Sequence, residues 1–79
     1  MSIIHDIERS DGKARVQFVQ NDDGFYSFHE EQELEDEVPG FGPYTYWGPT
    51  YVSGLYDELA AAARDAKAAI RWLKDAGVL

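Results

Sequence analysis

Apolar and polar residues alternate along the first third of the chain and recur at helical spacing along the last third. The segments 3–9 and 13–20 flank Asp11-Gly12. Asp-Gly between alternating segments is a strong signal for a two-residue hairpin turn, because glycine and aspartate tolerate the positive φ it requires. Closing that turn pairs Arg9 with Ala14, Ile7 with Val16 and His5 with Phe18 on one face. Glu8 then meets Arg15 on the other, a favourable cross-strand ion pair. A second connection, Asp22-Asp23-Gly24, has the residue types of a three-residue loop with a left-handed glycine. It sets Phe18 opposite Phe28 and Gln20 opposite Tyr26, so Ile7, Val16, Phe18, Tyr26 and Phe28 share one core face. A slip of one residue would turn the whole set outward.

Beyond Phe28 the pattern changes. Six of the eight residues from Glu30 to Glu37 are acidic, and neighbouring like charges predict that the third strand frays there into a solvated segment. Pro39, Pro43 and Pro49 with Gly40, Gly42 and Gly48 predict a loop around a short fourth strand, Tyr44 to Trp47, which Thr50 to Ser53 extends. The last third reads as one helix. Asp57 suits its N-cap, and Leu59, Ala63, Ala66, Ile70 and Leu73 form a single stripe. Gly77 predicts a left-handed C-cap with Val78 against Leu73. Carried through at about 100° per residue, the same helix puts Trp72 opposite that stripe. A Trp among small residues suggests a second contact: it covers the turn after Gly77, stays exposed, or lies on a neighbouring chain, in which case Trp72, Ala61 and Ala68 form a homodimer contact. The fold class is α+β: an antiparallel three- to four-stranded sheet packed by one C-terminal amphipathic helix, β-β-β-(β)-α, in a single domain over residues 1–79.

Composition sharpens this in two ways. With 79 residues and no cysteine, a disulfide or thiolate metal site cannot reinforce the core, and burial falls to the eleven aromatic residues and their aliphatic neighbours. The net charge is −8, and no Lys or Arg lies between Val16 and Ala63, where ten acidic residues fall. Nucleic-acid binders need a basic footprint, so no nucleic-acid partner is expected, whereas a basic protein partner suits the field. The longest apolar run, Leu59 to Ala63, has five residues against about 18 for a spanning helix, so no membrane contact is expected. Met1 to Asp6 lacks the basic start and apolar core of a signal peptide, and a cytoplasmic location follows as the expectation.

Candidate chemistry is sparse. His29-Glu30-Glu31-Gln32-Glu33 lacks the second histidine of a zincin motif, and His5 falls on the opposite sheet face from His29. Both histidines read as structural. The EF-hand loop is absent, and no serine sits in a nucleophile elbow. Neither a metal, a cofactor nor a catalytic set is therefore assigned, and a small hydrolase or metal-dependent enzyme stands as the alternative to a binding protein. The partner-binding candidates are Glu30, Glu31, Glu33, Glu35, Asp36 and Glu37 with Phe41 and Trp47, since loop aromatics give large contact area at low entropic cost. Tyr44 and Tyr46 are expected instead to fill a small core under the helix.

Asp23-Gly24-Phe25-Tyr26, Ser53-Gly54, Tyr56-Asp57-Glu58-Leu59-Ala60 and the run Asp65 to Leu73 together resemble the N-terminal module of HicB-like antitoxins. The segment from Glu30 to Pro49 is longer and more acidic than that family's usual link. The resemblance implies a β-β-β-α fold and the neutralisation of a small basic ribonuclease toxin.

Overall fold

The computed structural model describes residues 1–76. Four antiparallel strands, β1 (Ser2–Glu8), β2 (Ala14–Gln20), β3 (Tyr26–Val38) and β4 (Gly42–Val52), pair in chain order. The helices α1 (Leu59–Ala69) and α2 (Arg71–Asp75) follow. The α+β arrangement matches the alternation and the helical stripe that predicted it.

Both hairpin registers are those the apolar pattern demands. Ile7 faces Val16, His5 faces Phe18, and Glu8 faces Arg15, while Phe18 faces Phe28 and Gln20 faces Tyr26. The first turn closes differently from expectation. Gly12 N–H donates to Arg9 C=O at 2.8 Å, which centres the turn on Ser10-Asp11 and leaves Gly12, at φ 72°, in its last position. Asp11 Oδ1 accepts both the Lys13 N–H and Arg9 Nε, each at 2.9 Å. The Arg9 hydrogen bond, with the Lys13 amide behind it, holds the Asp11 carboxyl below its ordinary range. The second turn is the three-residue loop expected: Gly24 has φ 88°, and its N–H donates to Asn21 C=O at 2.9 Å. A bulge at Ile4 shifts β1, so that Ile4 reaches the core while Ile3 lies opposite Val19.

The acidic segment does not fray. β3 runs unbroken for 13 residues and pairs with an equally continuous β4 of 11. Leu34 meets Tyr46, Glu33 meets Trp47, Glu35 meets Thr45 and Asp36 meets Tyr44. No carboxylate has another across the ladder, and successive ones point to opposite faces, which lessens the repulsion that argued for a loop. β4 is an edge strand, where Pro43 and Pro49 are tolerated. A bulge at Thr50 carries Tyr51 into register with Glu30.

The core lies between one sheet face and the helices. Val16, Phe18, Phe28, Ala62, Ala66, Ile70 and Leu73 are buried together, with Ile4, Ile7, Tyr26, Tyr56, Leu59, Ala63 and Trp72 around them. Phe28 sits at its centre, its ring 5.7 Å from Phe18, 5.6 Å from Tyr51 and 6.0 Å from Tyr56. The Tyr26–Tyr56 bridge, with N···O distances of 2.7 and 2.8 Å, ties the chain to β3 just before α1 begins. Burial, and then a hydrogen bond to Asp65, raises the Tyr56 phenol above its ordinary value.

Two helix expectations are corrected. The N-cap is Glu58, without a side-chain bond, and not Asp57. The helix is also broken: Ile70 adopts an extended conformation (φ −112°, ψ 99°) between α1 and α2. The 100° count restarts after it, so Ile70, Trp72 and Leu73 all reach the sheet side. Gly77 and Val78, with the cap expected of them, lie outside the described residues.

Candidate functional site

Alternation along β3 splits the acidic segment between two surfaces. Glu30, Gln32, Leu34 and Asp36 share the face of Phe28; Glu31, Glu33, Glu35 and Glu37 form a row on the opposite, helix-free face. The predicted partner-binding residues therefore do not form one surface.

Glu30 is in the interior, only 7% exposed. Its carboxylate accepts from Thr50 Oγ1 at 2.7 Å and from the indole N–H of Trp72. A buried carboxylate is costly without donors, and the indole supplies one because the break at Ile70 turns Trp72 inward. The expected placement of Trp72 on the outer helix face is thereby corrected: its indole bonds to Glu30 of the same chain. Ala61 is half-buried and Ala68 exposed.

On the helix-free face Glu31 is engaged from within the chain. Arg15 donates to it at 3.0 Å, and His29 Nε2 lies 3.3 Å from its other oxygen, with Gln17 2.9 Å from the same ring nitrogen. The Arg15 guanidinium also lies 4.6 Å from the Trp47 ring centroid, a cation–π distance. Arg15 thus turns to Glu31 and not to Glu8, its neighbour across the β1–β2 ladder. Next in the row, Glu33, Glu35 and Glu37 are exposed, and among the described residues none of their carboxylates enters an ion pair.

β2 begins at Ala14, opposite Gln32, and Lys13 C=O accepts the Glu33 N–H at 2.9 Å, so from Leu34 to Tyr46 the sheet continues as a two-stranded arm, about 17 Å long at 3.4 Å per residue. It contributes to a molecule whose extents are 48 × 28 × 17 Å. At its tip Val38-Pro39-Gly40-Phe41 turns with Gly40 at φ 88° and Phe41 N–H on Val38 C=O at 3.0 Å, a turn that proline and glycine suit in those positions. Phe41 is 89% exposed. Tyr44 and Tyr46 do not fill a core under the helix; they are 45% and 42% exposed, and their rings lie 5.7 Å apart outside the cluster that packs against the helices. Sequence reasoning missed Arg15 as part of this surface. The signal available was its predicted place on the outer face beside a long acidic strand.

Carboxylates strung along a strand do not converge, and among the described residues no three His, Asp or Glu side chains form a metal-binding group. Among those residues no helix is long and apolar enough to cross a membrane. Comparison with protein-family models, curated proteins and solved structures finds no match to this chain.

Proposed function

We propose that the chain is a non-catalytic binding domain whose contact surface is the helix-free side of the arm: Glu33, Glu35 and Glu37 with Trp47, ending at Phe41. The supporting observation is Arg15, held at once by the Glu31 carboxylate and the Trp47 ring. The same row then repeats its carboxylates at about 6.8 Å intervals, and among the described residues none of Glu33, Glu35 and Glu37 enters an ion pair. A basic protein presenting Lys or Arg at alternate strand positions, or at i and i+4 of a helix, would continue the pattern Arg15 begins. Exposed ion pairs contribute little singly, so affinity would come from Trp47 and Phe41, with the glutamates setting association rate and selectivity. Neutralisation of a small basic toxin, as the HicB-like resemblance implies, is the sharpest form of this reading.

The test is affinity capture by the wild-type chain, by a Glu33→Gln/Glu35→Gln/Glu37→Gln variant and by Phe41→Ser, at low and high salt, with captured proteins identified by mass. A basic protein released by salt and lost with either variant is the expected result. Capture of nothing basic, or equal capture by all three chains, defeats the proposal.

A further inference from the structure

The other side of the arm carries a separate problem. Leu34, Tyr44 and Tyr46 lie with Asp36 on the face that the helices cover elsewhere. The helix layer reaches Glu30, where Trp72 bonds it. A two-stranded ribbon is marginal unless something packs upon it, and among the described residues Leu34, Tyr44 and Tyr46 lie outside the cluster packed between sheet and helices.

The helices present the opposite charge. Four of the chain's seven basic residues, Arg64, Lys67, Arg71 and Lys74, lie on them. Lys67, Arg71 and Lys74 line a shallow recess of about 430 Å³ with Ala68 and Asp75 at the α1–α2 break. Among the described residues, neither Arg71 nor Lys74 enters an ion pair, and none joins Asp36 to the helices; Lys67 is itself engaged. Asp36 with its two tyrosines and the three cations of the recess therefore complement each other, and among the described residues no ion pair of Asp36 joins them within one copy.

We propose that they meet between copies: the chain forms a two-fold dimer in which the Leu34–Tyr46 face of each arm lies on the α1–α2 recess of the other. Such a contact is self-complementary, as two-fold symmetry requires. The partner's helices would extend over the arm the layer that each copy's own helices lay on the core. Tyrosine rings facing guanidinium and ammonium groups supply cation–π attraction, of which Arg15 on Trp47 is the chain's own example. A stable interface needs about 800 Å² per partner, roughly 15% of the 5297 Å² surface of one copy, and the two reciprocal contacts share it. The proposal uses the side of the arm opposite Glu33, Glu35 and Glu37, so it stands apart from the basic-partner reading.

Sedimentation equilibrium of the full chain from micromolar to millimolar concentration tests it. Wild type should form dimers, and Tyr44→Ser/Tyr46→Ser should weaken them about tenfold or more, the equivalent of about 1.4 kcal/mol. Glu35→Gln, on the other side of the arm, should leave them unchanged. Asp36→Arg and Arg71→Glu should each weaken self-association. Mixed together, the two variants should form heterodimers more tightly than either forms homodimers, because each contact then pairs unlike charges. All these positions are exposed, and far-UV circular dichroism confirms folding. A wild-type monomer at millimolar concentration overturns the proposal, as does a dimer indifferent to the tyrosine variant or a mixture no tighter than its components.

Discussion

Replacing Trp72 with Phe keeps most of the ring's packing and removes one N–H from the buried Glu30 carboxylate. Hydrogen bonds to charged groups contribute about 1.5–3 kcal/mol, and Thr50 Oγ1 remains as the other donor to that carboxylate. The expected loss is therefore about 2 kcal/mol. In a domain of this size each kcal/mol moves Tm by about 4–8 °C, so Tm should fall by on the order of 10 °C. Urea unfolding followed by far-UV circular dichroism measures the loss directly. The decisive arm is a double-mutant cycle with Glu30→Met, which removes the carboxylate at similar volume. Without a charge to satisfy, Trp72→Phe should cost under about 1 kcal/mol, leaving a coupling above the roughly 0.5 kcal/mol scatter of independent sites. Equal costs in the two backgrounds would refute the view that the indole is turned inward to serve Glu30.

Phe28→Ala, at the centre of the aromatic cluster, should cost about 3–5 kcal/mol, much of what so small a domain possesses; loss of the cooperative urea transition reads it. A Cβ added at Gly48 would lie 2.7 Å from Leu34 Cδ1, so Gly48→Ala should destabilise by about 1 kcal/mol. Gly48→Ala should be relieved in a Leu34→Ala background, measured by the same unfolding experiment. The Tyr56 phenol, raised by burial and by its bond to Asp65, should titrate above the ordinary value of about 10 in spectrophotometric difference against Tyr56→Phe. Because the fold favours the protonated phenol, its contribution to stability is complete below the ordinary phenol value and disappears as pH rises through the raised one. Asp65→Asn should lower that titration while leaving the part caused by burial.

Local chemistry was enough for the first two hairpins and the material of the core. Asp11-Gly12 and Asp22-Asp23-Gly24 limit where the chain can reverse, and only one register then puts Ile7, Val16, Phe18 and Phe28 on a common face. The apolar spacing likewise marks Ala66, Ile70 and Leu73, all three buried. The arm was not legible in the same way. A run of carboxylates read one residue at a time predicts repulsion, but paired with β4 each carboxylate faces an uncharged residue, and its neighbours point to opposite sides. That relief exists only once the second strand is in place. Trp72 shows the same dependence. Helical periodicity carries a side chain's direction only while the helix continues, and a single extended residue, Ile70, resets it. Whether Glu30 and Trp72 face solvent or each other was settled by that one break and by the sheet beneath it, a non-local choice that no window of neighbouring residues contains.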